Sequence, residues 1–140
     1  MKKIPTLWWI IGFIVIIVGL LGWSRLIQSS NPNTVSTGAF HWHPELTIYV
    51  KGEKQEIPQG IGLAGAHKPI HTHDDIPVIH MEFVGAAKKE ETTLGMFFRN
   101  WGKDFNSFGS SVTMTVNGKE NTEFENYQMK DGDKIELHYK

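Results

Sequence analysis

The chain has 140 residues, 14 Lys and Arg against 15 Asp and Glu, 40% apolar residues and no cysteine. That is room for one domain of ordinary size, and the missing thiols exclude disulfides, cysteine nucleophiles, zinc fingers, iron–sulfur clusters and lipoprotein acylation. Three of the bases (Lys2, Lys3, Arg25) flank an apolar N-terminal run, so residues 31–140 hold 11 basic against 15 acidic residues, a net of −4; a mildly acidic domain without a basic stripe argues against nucleic acid as its partner.

Residues 7–23 form a 17-residue run without charge. At about 1.5 Å rise per residue a helix of this length approaches the ~30 Å hydrocarbon thickness of a bilayer. Trp8, Trp9 and Trp23 sit where interface aromatics belong. The competing reading is a cleaved signal peptide, but Leu21-Gly22-Trp23-Ser24 is a poor cleavage site and the run exceeds a usual signal core. The expectation is therefore an uncleaved single-pass anchor over residues 1–27, meeting the lipid bilayer through residues 7–23. Two lysines before the run against one arginine after it predict a cytoplasmic N-terminus and a C-terminal domain outside the cell membrane. Residues 28–39, rich in Ser, Asn, Thr and Pro, read as a polar linker, and residues 40–140 as the extracytoplasmic domain.

Within that domain, Leu46, Ile48 and Val50 alternate with Thr47 and Tyr49, the pattern of a half-buried strand. Lys51-Gly52-Glu53 is a turn into a short return strand ending near Ile57. Residues 58–77 carry Gly and Pro turns without periodicity and read as loop. Ile79, Met81 and Phe83 alternate with Val78, His80 and Glu82, a second clear strand. Thr92 and Thr93 suit a helix N-terminus, Leu94, Phe97, Phe98 and Trp101 follow at helical spacing, and Gly102 suits its end. Val112, Met114 and Val116 predict another strand, Asn117-Gly118 a tight turn, and residues 135–139 a last strand entered through Asp131-Gly132. The predicted class is α+β: a mixed sheet with one packed helix, whose other face is left partly exposed.

The seven histidines are unusually placed. His41-Trp42-His43 precedes the first clear strand, and its period of two puts His41, His43 and Glu45 on one face. His71-Thr72-His73-Asp74-Asp75 repeats the pattern, and His80 points away from the core side of its strand. His-x-His in extended chain sets two imidazoles ~6–7 Å apart at Cα on one face, a spacing that one ion with ~2.0–2.1 Å metal–nitrogen bonds can bridge. The expected ligands are His41, His43, His71 and His73, with His80 as ligand or supporting partner, and Asp74 or Asp75 orienting a ring nitrogen. Imidazole suits copper or zinc, and without Cys or a Met cluster a Cu(I)-specific site is disfavoured. His67 is a loop residue close enough to participate; His138 is assigned to neither face. Met81, Met96, Trp42 and Trp101 read as packing, and Asp131-Gly132-Asp133 as a turn, lacking the loop of a calcium site.

Catalytic motifs are missing: no nucleophile elbow, Walker loop, dinucleotide fingerprint or His-Glu-x-x-His. Glu45 and Glu82 are the carboxylates available as a base, so an enzyme is the less favoured class. A cupin-like metal enzyme is one alternative, because Glu45 to Gly52 has cupin spacing, but Glu45 follows His43 too closely and no second cupin motif occurs. An interaction module with surface histidines is the other.

Two resemblances bear on this. Val116-Asn117-Gly118-Lys119 and the stretch Tyr127-Gln128-Met129-Lys130-Asp131-Gly132-Asp133-Lys134-Ile135 resemble the closing half of a β-grasp domain, with the helix at 94–101 where that fold wants it. The sulfur-carrier branch ends in Gly-Gly; this sequence reads His138-Tyr139-Lys140 there, so that activity does not transfer. More specifically, residues 40–140 are similar to a family of membrane-anchored extracytoplasmic histidine-rich proteins of archaea and bacteria. The marks are His41-Trp42-His43-Pro44-Glu45-Leu46, Ile57-Pro58 through Gly62, His71-Thr72-His73-Asp74, Ile79-His80, Thr93-Leu94-Gly95, Phe98 and Trp101-Gly102. Some members carry a Cys shortly before the second His-x-His; Ala64-Gly65-Ala66-His67 stands there instead, so a thiol role is not implied. The resemblance implies the layout and no particular activity. The expectation is an anchored β-grasp-like domain that holds copper or zinc and hands it to an exported metalloprotein.

Overall fold

The computed structural model describes residues 6–29 and 32–140. It divides the chain into two compact units, residues 1–32 and 33–140. In the first unit, helix α1 (Thr6–Ser29) is apolar on all sides. Its stretch Trp8–Leu26 has 19 residues and a mean hydropathy of 2.0, long and apolar enough to cross a membrane.

The second unit is a mixed α+β domain. Its strands are β1 (Thr34–Ser36), β2 (Phe40–Trp42), β3 (Glu45–Val50), β4 (Glu53–Gln55), β5 (Ile70–His71), β6 (His80–Phe83), β7 (Ala87–Lys88), β8 (Val112–Val116), β9 (Lys119–Glu120) and β10 (Lys134–Tyr139), with helix α2 (Leu94–Trp101) between β7 and β8. They form three sheets: β4-β3-β10-β8-β9, β2-β6-β5 and the pair β1-β7. A single mixed sheet was the simpler expectation. The linker assignment also shifts: Thr34–Ser36, inside the predicted 28–39 linker, pairs antiparallel with β7.

The five-stranded sheet is organised by alternation. β10 lies parallel to β3 and antiparallel to β8, with Ile135 opposite Leu46 and Leu137 opposite both Ile48 and Met114. These five side chains are essentially fully buried, each worth about 1.5–3 kcal/mol of transfer free energy. Their neighbours Glu136 and Thr113 are exposed, and Thr47, Tyr49 and His138 half-buried, so the outer face is open as the single-helix argument requires. Helix α2 adds Leu94, Phe97 and Phe98 to the core. The Thr93 side chain accepts a hydrogen bond from the Met96 amide, and Gly102 closes the helix in the left-handed conformation that glycine tolerates.

Pro44 is where the chain changes sheets. β2 ends at Trp42 and β3 begins at Glu45. The buried Pro44 carbonyl accepts from the Ile79 amide at 2.8 Å, and the Leu46 amide donates to Pro77 at 3.0 Å. The lead-in to β6 is thereby stitched to the start of β3. Two sheets meet at the stretch that carries His41, His43 and His80.

Candidate metal centre

In the sheet β2-β6-β5, register places His41 opposite Glu82 and His71 opposite His80. Phe40, Trp42, Ile70, Met81 and Phe83 take the alternate positions, and Ile70, Met81 and Phe83 are buried in the core. The other face of three short strands therefore carries His41, His80, Glu82 and His71. His43 and His73 lie two residues beyond His41 and His71, which keeps them on that face. All five predicted histidines converge.

Two sets of three have ligating nitrogens within 4.8 Å of one another: His71, His73 and His80, and His41, His43 and His80. Tetrahedral coordination at ~2.0–2.1 Å puts nitrogens about 3.3 Å apart, so modest side-chain rotation closes either set on one ion. Ring centroids are 4.9 Å apart for His71 and His73, 4.8 Å for His73 and His80, and 5.0 Å for His43 and each of His41 and His80. Burial differs sharply: the side chains of His71 and His80 are 2% and 14% exposed, those of His41 and His43 56% and 45%.

His71 is the best-defined member. Its Nδ1 lies 3.0 Å from the Lys68 carbonyl oxygen, which can only accept, so Nδ1 carries the proton. The lone pair is then on Nε2, which is buried and has no hydrogen-bond partner among the described residues. An unpaired buried acceptor costs about 1–3 kcal/mol, and a positive ion is the partner that would relieve it. Desolvation by burial lowers the His71 pKa, against the Lys68 hydrogen bond and the Glu82 charge, which raise it; neighbouring His73 and His80 lower it further. The neutral, ligating form is thus favoured.

A built loop holds His71 in place. Thr72, fully buried between the two histidines, accepts from the Ile61 amide and donates to the Pro58 carbonyl, while its backbone bonds to Ile61 and Gly60. Gly62 comes so close that a Cβ there would sit 2.6 Å from the Ile70 oxygen and 3.3 Å from His71 Cβ. Residues 58–77, expected to be plain loop, thus contain strand β5 and a support for the site.

Three carboxylates surround the imidazoles. Asp75 accepts from His80 Nε2 at 3.0 and 3.1 Å through its two oxygens, and this bond chiefly lowers the Asp75 pKa. Glu82 pairs with His41 Nε2 and lies 3.9 Å from His71 Nε2. Desolvation pushes Glu82 up, but the His41 hydrogen bond and the nearby imidazoles outweigh it and leave the carboxyl below its ordinary range. Asp131 accepts the His43 amide at 2.8 Å. Asp74, predicted within the site, is exposed and belongs to neither triad; Asp75 makes the contact expected of one of the two. Glu45 pairs with Lys134 in the five-stranded sheet and is in neither triad. His67 stands 5.7 Å from His71, ring to ring, outside both, and His138 stacks on Tyr49. The sequence offered Glu82 only as an available base and left it out of the metal set, although it lies two positions beyond His80 on the same strand face. Nothing marked Asp131, whose approach depends on tertiary structure.

No protein-family model, curated protein or solved structure matches the chain.

Proposed function

We propose that this chain is a membrane-anchored, extracytoplasmic metal-binding protein that holds a copper or zinc ion through its histidines and passes it to an exported metalloprotein. The observation that carries the reading is His71: a buried imidazole with its Nδ1 proton committed to a carbonyl, its Nε2 lone pair free, and two further imidazoles within reach. Neutral imidazoles without thiolate suit Cu(II) or Zn(II). Carriage is favoured over catalysis because the nearby carboxylates, Asp75 and Glu82, are engaged with histidine rings rather than set apart as a base. The sheet order β4-β3-β10-β8-β9 with one helix between β4 and β8 supports a β-grasp-like scaffold. The anchor reading rests on α1 and the location on Lys2, Lys3 and Arg25.

The test is a metal titration of the full chain in detergent, with and without His71→Ala plus His73→Ala. Tight stoichiometric uptake of Cu(II) or Zn(II), lost in the double variant, is expected. Absence of binding by the unaltered chain leaves an interaction module and refutes the proposal. An alkaline phosphatase fused after Lys140 should be active in cells; a silent, stable fusion would overturn the location.

A further inference from the structure

The two histidine triads share His80, and this constrains what the cluster does with an ion. A neutral imidazole carries one N–H and one lone pair. His80 therefore serves one ion at a time, and the triads are alternative positions rather than independent sites. They also differ in access. His41 and His43 are about half exposed, whereas His71 is buried beneath the loop held by Thr72 and Gly62. Glu82 stands between them, paired with His41 and 3.9 Å from His71. Around the exposed triad, Asp75, Glu82 and Asp131 supply negative charge, which raises the local concentration of a cation.

We infer that the cluster is a two-station relay for one divalent transition-metal ion: His41, His43 and His80 capture it at the surface, and His71, His73 and His80 hold it within. This rests on the metal-binding reading above and adds a route to it. His80 remains a ligand in both stations, so the ion is never released to water between them. Exchange of His41 and His43 for His71 and His73 then proceeds one ligand at a time around a fixed imidazole. Asp75 keeps a hold on His80 from outside the cluster, and Glu82 supplies an oxygen along the path. The same order in reverse presents the ion to an acceptor at the exposed station.

The experiment uses the full chain in detergent and Zn(II) supplied from, and withdrawn to, a chromophoric chelator in a stopped-flow instrument. The unaltered chain should bind one Zn(II). His41→Gln plus His43→Gln, both at exposed positions, should keep one Zn(II) with a smaller loss of equilibrium affinity than the buried-station variant, while uptake and release slow several-fold. His71→Ala plus His73→Ala should lose the tight site and keep weak, rapidly exchanging binding. His73→Ala alone, with far-ultraviolet circular dichroism to confirm folding, guards against collapse of the buried position. The relay is overturned if the exposed-station variant loses as much affinity as the buried-station one, which means a single merged site. Simultaneous binding of two Zn(II) ions, or unchanged uptake and release rates, overturns it equally. Binding by the unaltered chain with any of these outcomes sinks the relay alone; no binding at all sinks the metal reading with it.

Discussion

Gly62 offers a direct way to separate backbone strain from support of the site. It has φ +76°, a conformation in which any L-residue with a Cβ loses about 1–2 kcal/mol. Gly65, in the same loop, also has φ +76°, but a Cβ there meets nothing within 4 Å among the described residues. Gly65→Ala should therefore cost about 1–2 kcal/mol and leave metal affinity intact. Gly62→Ala carries the same penalty and, in addition, a 2.6 Å contact with the Ile70 carbonyl oxygen and a 3.3 Å contact with His71 Cβ. Relieving the backbone contact needs a loop shift approaching 1 Å, and overpacking of this kind costs about 1–3 kcal/mol more. The total expected is about 2–5 kcal/mol. The shift also disturbs the hydrogen bond between Lys68 and His71 Nδ1, and loss of such a supporting partner lowers metal affinity about 10–100-fold. Denaturant unfolding and Zn(II) competition titration of both variants measure the two effects. Equal destabilisation by the two substitutions, or unchanged affinity in Gly62→Ala, would refute the view that this loop holds the histidine in place.

Asp75→Asn keeps the size of the side chain and removes the charge that engages His80; Zn(II) affinity should fall about tenfold or more while stability changes by less than about 0.5 kcal/mol. If titration shows unaltered affinity, Asp75 has no part in orienting the ring. The lowered pKa of His71 sets a pH dependence of stability. As pH falls through about 6.5 the unfolded chain takes up the proton before the folded one does, so the unfolding free energy decreases with falling pH in that window. The decline ends once the folded imidazole is protonated too. Asp75 and Glu82, both lowered, add a separate loss at more acidic pH, because there the unfolded carboxylates take up protons before the folded ones do. Urea midpoints compared at about pH 7.5 and about pH 5.5 should fall with acid in the unaltered chain and change less in His71→Phe; equal slopes in the two would assign the effect elsewhere.

Legibility in the sequence followed the length of each pattern. Strand β3, strand β10 and helix α2 carry enough apolar repeats to declare their period, and all three are present close to the expected bounds. Strands β5, β7 and β9 have two residues each, too few to show alternation, so they emerge only through their partners β6, β1 and β8. The division between β2 and β3 falls at Pro44, which has no amide to donate and whose carbonyl accepts from Ile79; the sequence placed His41-Trp42-His43 just before the first clear strand without marking a change of sheet. The convergence of His41, His43, His71, His73 and His80 followed from counting by two in extended chain. The burial of His71 did not, because it depends on a loop that comes back over the strand at Gly62 and Thr72. Asp75 and Asp74 were indistinguishable neighbours until the turn before β6 decided which one faces His80.

The position of β10 has a consequence for how the protein comes into being. This strand, the last in chain order, lies between β3 and β8 and is paired with both. Until Lys134–Tyr139 have been synthesised, β3 lacks its partner on one side, and Leu46, Ile48 and Met114 lack their cross-strand neighbours Ile135 and Leu137. A ribosome making this chain thus delivers the histidine-bearing strands well ahead of the segment that closes the core. The five-stranded sheet therefore cannot close before β10 is available, and this strand acts as the latch of the fold.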